Sequence, residues 1–140
     1  MNRFLSSHPL WATAGLALVR IITGLLMVYH GWEVFDEAKM NEYATWDSFK
    51  SYSSPATMAY IGKVGELIAG VLLTLGLFTR LASIIIAGIM FYISVIMGNG
   101  KVWYDDQHPF LFVLLALVFF FTGGGRYSLD YVLFSKRSYV

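Results

Sequence analysis

No cysteine occurs among the 140 residues, and that absence removes thiol–disulfide exchange, thiolate metal sites and iron–sulfur clusters from the range of functions. Any redox role must then rest on a bound cofactor. Charge is scarce as well: Asp, Glu, Lys and Arg make up 14% of the chain, against about 25% in a soluble domain. The net charge of +1 offers no basic stripe to neutralise phosphates, so nucleic acid is not an expected partner. Only three prolines occur, and Pro9, Pro55 and Pro109 each stand just before an apolar run, where a missing N–H is harmless to a helix. Neither His-x-x-His nor Glu-x-x-His spacing is present, so no metal site is expected. There is no internal repeat and no low-complexity tract.

What the chain has in abundance is hydrocarbon. Hydrophobic residues make up 57% of it and the mean hydropathy is +0.61. Four apolar runs, at 10–31, 57–78, 80–98 and 108–123, approach the roughly 20 residues that a membrane-crossing helix needs. The last is the shortest, with Trp103-Tyr104 and a glycine-rich turn as interfacial flanks. The expected fold is all-α: one transmembrane domain over residues 1–140, an antiparallel four-helix bundle in a membrane. Ser54 and Thr79 are expected N-caps for the second and third helices. The segment from Gly76 to Arg80 reads as a tight turn, and Gly123-Gly124-Gly125 as the stop of the fourth helix. Residues 128–135 are expected to form a short interfacial helix with Asp130 in its first turn. The N-terminal run resembles a signal peptide only superficially, because Arg20 interrupts it and no small-x-small site follows; a retained helix is expected.

The segment from Glu33 to Ser54 is long for a connection. Phe35, Met40, Tyr43, Trp46 and Phe49 recur in it at helical spacing, which predicts an amphipathic outer segment that either anchors among headgroups or lids a cavity. Trp11, Trp32, Trp46, Trp103 and Tyr104 fall near helix ends as an aromatic belt would, and Phe119-Phe120-Phe121 reads as lipid-facing or core bulk. Orientation follows the basic residues. Arg3, Arg80, Arg126, Lys136 and Arg137 collect on the side of the termini, against Lys39, Lys50 and Lys101 among acids on the other, so both termini are expected in the cytoplasm.

Two charges lie inside the apolar runs, Arg20 in the first and Glu66 in the second. An ionised group at bilayer depth costs on the order of 3 kcal/mol even on the milder scales, so each needs a partner, and an Arg20–Glu66 pair is the first expectation. Counting the helical rise from the helix ends puts Arg20, Tyr92 and Glu66 in one mid-membrane layer, with Gly24, Gly62 and Gly70 permitting close helix approach. His30 and Lys63 fall a turn or two nearer the outer surface. Arg20, His30, Glu66 and Tyr92 are thus the candidate ligand-binding residues: three hydrogen-bond donors and a carboxylate suited to hold and relay protons, as an amphipathic ligand such as quinone requires. The competing reading makes Arg20–Glu66 a buried pair that specifies the fold. Lys63, Arg80, Arg126 and Asp130 read as structural or lipid-facing charge, the two arginines as anchors for lipid phosphates or partners of Asp130. A haem held between His30 and His108 is disfavoured.

Several of these features form a recognisable set. Arg20-x9-His30-Gly31, Glu66-x3-Gly70, Gly76-Leu77-Phe78-Thr79-Arg80 and Gly123-Gly124-Gly125-Arg126-Tyr127-Ser128-Leu129-Asp130 together resemble the DoxX family of small four-helix membrane proteins. The resemblance implies a prokaryotic cytoplasmic membrane. It also implies redox company, since related proteins include the DoxD-type subunit of a thiosulfate:quinone oxidoreductase and a mycobacterial member associated with redox-defence partners. Lipids, other membrane or peripheral redox subunits, or further copies of the chain are the expected partners. The leading expectation is a quinone-associated subunit of a membrane oxidoreductase; the alternative is a non-catalytic assembly or scaffold subunit. A small transporter is disfavoured, since four spans leave little room for alternating access.

Overall fold

The computed structural model describes residues 6–135, and among them every regular element is helical. Arg3, Lys136 and Arg137, used above to orient the chain, lie outside the described residues. Four long helices form the bundle: α1 (Ala12–Gly31), α4 (Pro55–Leu75), α5 (Thr79–Tyr92, continued as a π-helical turn over Ile93–Met97) and α6 (Gln107–Thr122). Between α1 and α4 run a 3-10 turn (Trp32–Phe35), α2 (Glu37–Ala44) and α3 (Asp47–Lys50); α7 (Leu129–Phe134) follows α6. Three helices, Ala12–Phe35, Pro55–Leu75 and Thr79–Met97, are long and apolar enough to cross a membrane; α6 is apolar and 16 residues long. Their outward faces carry Leu18, Ile22, Leu25, Ile68, Ile84 and Phe121, all well exposed, as helices solvated by lipid would.

Glycine sets the closest helix contact. A Cβ at Gly24 would strike Thr74 and Gly70, one at Gly70 would strike Val28, and one at Gly31 would strike Leu67, so α1 and α4 pack backbone against backbone. That contact also fixes the register between them. Gly62 takes no part, since a Cβ there would meet nothing within 4 Å. The core of the bundle is Met27, Ala69, Leu73, Ile86, Met90, Phe112, Ala116 and Phe119. Of the phenylalanine triplet, Phe119 is therefore core, while Phe121 faces outward.

Both expected side-chain caps are replaced. Ser54 precedes α4, but its hydroxyl bonds Thr57 Oγ1 (2.7 Å) and caps nothing; Pro55 in the first turn needs no partner for its nitrogen. Thr79 is the first residue of α5, and the cap comes from α7: the Asp130 carboxylate accepts from the N–H groups of Phe78 (2.7 Å) and Thr79 (2.9 Å). Phe78 sits in the left-handed region at φ 48°, a strained position for a bulky residue that these bonds hold in place. Asp130 N–H in turn donates to Gly76 O (2.9 Å), and Gly76 itself closes α4 at φ 66° with Leu77 N–H on Leu72 O. The turn and the tail are thus one unit. Asp130→Ala should cost about 1–2 kcal/mol, read as a fall in the thermal midpoint of the detergent-solubilised protein, because a charged cap and the brace on Phe78 vanish together.

Candidate functional site

Arg20 and Glu66 do not meet. With Gly24 against Thr74, Val28 against Gly70 and Gly31 against Leu67, Arg20 lies level with the turn after α4, whereas Glu66 lies level with Trp32. About three helical turns, roughly 17 Å along the axis, separate the two levels. The expected pair fails because α1 begins at Ala12 and about its first three turns run past the end of α4, so counting from Leu10 misjudges where the bundle starts. Arg20 is 2% exposed and spends its guanidinium on the chain itself, donating from Nη1 to Gly124 O and from Nη2 to Tyr127 O (2.7 Å). Nε has no partner among the described residues, and Asp130 is the opposite charge acting on the group. This residue ties the glycine-rich segment after α6 onto α1. It lines no part of the cavity described next.

At the opposite end the bundle forms a partly open cavity of about 410 Å3. Its floor is Met90, Phe112 and Glu66; His30, Lys63, Tyr92 and His108 stand on its sides; Tyr43, Trp46 and Phe49 cover it. The outer segment is therefore a lid. Met40 and Phe49 are buried and pack on Ala59, which fastens α2 and α3 to α4. Tyr92 shares a hydrogen bond with Tyr52 (2.7 Å), and the His30 and His108 rings meet edge to face, 5.8 Å between centroids. Three of the four expected ligand-binding residues, His30, Glu66 and Tyr92, converge on this one space; Arg20 does not.

Glu66 is 2% exposed, and its charge partner comes from its own helix, one turn away: Lys63 Nζ lies 3.0 Å from Glu66 Oε2. Lys63 is not lipid-facing. The same nitrogen lies 3.0 Å from Glu33 Oε2, 3.4 Å from His30 O and 5.2 Å from the centre of the Tyr43 ring, which presents its negative face to it. Glu33 also accepts from Lys39 (2.9 Å) and from the Tyr43 hydroxyl (2.6 Å). Burial and the Glu33 carboxylate push the Tyr43 hydroxyl well above the ordinary tyrosine range, so it stays a donor at any physiological pH. Charges of alternating sign thus run from Lys39 at the surface through Glu33 and Lys63 to Glu66 in the cavity floor. Glu66 Oε1 has no hydrogen-bond partner among the described residues, and Glu66 lines the cavity.

Glu33 and Tyr43 are the residues that sequence reasoning missed. Glu33 reads as one of several loop acids, yet it follows His30 by three positions; extending the helical face past Trp32 would have aligned the two. Of the remaining charges, Arg80 donates to Phe120 O (3.2 Å) and braces α5 on α6, while Asp130 is a cap and pairs with neither Arg80 nor Arg126 among the described residues. No three His, Asp or Glu side chains among the described residues converge as a metal ion would require.

A small all-helical membrane protein with a lidded, mostly apolar cavity and a buried carboxylate at its floor is the class that fold and site define. The DoxX family profile matches residues 15–99, more than half of the sequence, and the chain belongs to that family. It is 31% identical over 135 residues to the Bacillus subtilis protein named "Putative oxidoreductase CatD", covering 88% of this chain and 90% of that one. It is also 30% identical over 128 residues to an uncharacterized Haemophilus influenzae protein, covering 86% and 92%. No solved structure matches it.

Proposed function

We propose that this protein is a quinone-associated subunit of a membrane oxidoreductase system, seated in a prokaryotic cytoplasmic membrane with both termini in the cytoplasm. The cavity is the observation that carries this reading. Its volume of about 410 Å3 falls within the roughly 300–1,000 Å3 of small-ligand pockets, and its walls are apolar apart from a few convergent polar groups. A quinone head matches that pattern, being a flat apolar ring with a carbonyl at each end. His30, Lys63 and Tyr92 are donors for such carbonyls, and Met90, Ile93 and Phe112 are surfaces for the ring. When bound, a quinone would supply transfer of two electrons coupled to two protons. The chain's own residues serve the protons: Glu66 lines the cavity, and the Lys63–Glu33–Lys39 series, with Tyr43 on Glu33, connects it to the surface in steps of 2.6–3.0 Å. Electrons come from a partner, since the chain has no thiol redox centre of its own. The name of the Bacillus subtilis relative adds support from a different direction.

Purification in mild detergent followed by quinone extraction, together with titration of added quinone against tryptophan fluorescence, tests the reading. Wild type should bind, and Glu66→Gln should weaken binding by about tenfold or more while the circular dichroism stays helical. A folded protein that neither carries nor binds quinone would overturn the proposal in favour of an assembly subunit. That second reading draws support from how much of the polar inventory, Arg20 and Asp130 above all, is committed to holding the fold.

A further inference from the structure

The two glycines that line the cavity have no packing reason to be glycine. Gly62 lies in α4 and Gly88 in α5, both in mid-helix, where glycine weakens a helix relative to alanine. A Cβ at either would meet nothing within 4 Å. Gly65, one turn along α4, is different: a Cβ there would come within 2.7 Å of Ile89 Cδ1, so the two helices are in close contact at that point. Gly62 lies about one turn nearer the outer end than this contact and Gly88 lies level with Glu66, and at neither does a side chain cover the seam between α4 and α5. Gly88 and Ile61 are exposed on the outer surface and yet belong to the cavity lining, so the gap connects the cavity with the bundle's lipid-facing side. On the aqueous side the cavity is lined by Tyr43, Trp46 and Phe49 of the lid.

We infer that the Gly62–Gly88 gap is a lateral portal by which a bilayer-dissolved ligand with a polar ring and a long hydrocarbon tail reaches the cavity, its tail staying in the gap. The occupant follows from the surroundings. The gap opens within membrane-crossing segments, where the medium is lipid, and its rim is Ile61, Ile89 and Ile93. At its inner end stands Glu66, 98% buried by its 2% exposure, with an oxygen free to meet a polar head. A cavity of about 410 Å3 holds a ring head and the first part of a chain, and a tail longer than that lies outside it. This inference rests on the quinone reading for the identity of the ring, not for the existence of the portal.

The test has two arms, and Gly62→Leu and Gly88→Leu are suitable probes because the space they fill is empty and helix propensity improves. In the first arm, 2,3-dimethoxy-5-methyl-1,4-benzoquinone and the same ring with a decyl tail are titrated against wild type and both variants. The leucines should weaken the decyl compound by at least about tenfold more than they weaken the tailless ring, since both positions also line the cavity. In the second, Ala59→Cys places the chain's sole thiol in the cavity lining, and its labelling in vesicles by a long-chain alkyl maleimide is compared with labelling by N-ethylmaleimide. Either leucine should slow the alkyl reagent by about tenfold with little change for the small one. Labelling that ignores the leucines overturns the portal, as does a finding that the leucines instead break a complex between copies of the chain. If neither quinone binds wild type but the leucines still block the alkyl reagent, the quinone reading falls and the portal stands.

Discussion

Arg20→Leu should unfold the protein easily while leaving ligand affinity at the cavity unchanged in whatever fraction remains folded. The substitution removes both hydrogen bonds that tie the Gly124 and Tyr127 carbonyls to α1, together with the positive charge facing Asp130. Each hydrogen bond lost from a charged donor costs about 1.5–3 kcal/mol, and the volume emptied around the buried Arg20 side chain adds to that. A loss of about 3 kcal/mol or more is expected, which for a chain of this size lowers the thermal midpoint by on the order of 10 °C. Four tryptophans make the transition visible by intrinsic fluorescence in detergent. Arg20→Lys should fall between, since an ammonium cannot reproduce the fork that spans two carbonyls. The opposite result, weaker quinone binding at an unchanged midpoint, would return Arg20 to the ligand site and contradict the helix register.

Lys63→Met is expected to be the most damaging substitution at the cavity. It leaves Glu66 and Glu33 facing each other with no cation between them, one of them almost wholly buried. Removing one partner of a buried ionic group costs about 3–5 kcal/mol, chiefly through the charge left behind. The companion experiment separates that charge from simple loss of contacts. Lys63→Met combined with Glu66→Gln should recover a large part of the stability, with a coupling energy of about 1–3 kcal/mol between the two sites. Glu66→Gln alone should be mild in stability, because Lys63 keeps Glu33, and severe for ligand binding. Strict additivity of the two substitutions would rule out the ion pair.

Much of this was legible beforehand because it follows from local chemistry. Apolar runs of near-spanning length, prolines at helix starts and glycines after helices mark the bundle whatever its packing, and the resemblance to DoxX proteins rests on turns that keep their identity in isolation. Glu66, His30 and Tyr92 were singled out because polar groups in apolar helices must be used for something. Their convergence, by contrast, depends on how helices rotate and slide against one another. Lys63 was left open between a structural and a lipid-facing charge for the same reason: its position one turn from Glu66 was visible, but which way that face turns was not.

Composition and periodicity alone determined that this chain is a helical membrane protein, since desolvating backbone and charge in lipid admits few other outcomes. The tertiary structure decided who pairs with whom. Backbone contact at Gly24, Gly31 and Gly70 sets the slide of α1 along α4, and that slide carries Arg20 to the end of the bundle and leaves Glu66 to Lys63 and Glu33. A buried charge announces in sequence that it has a partner; only the register of the packed helices names it.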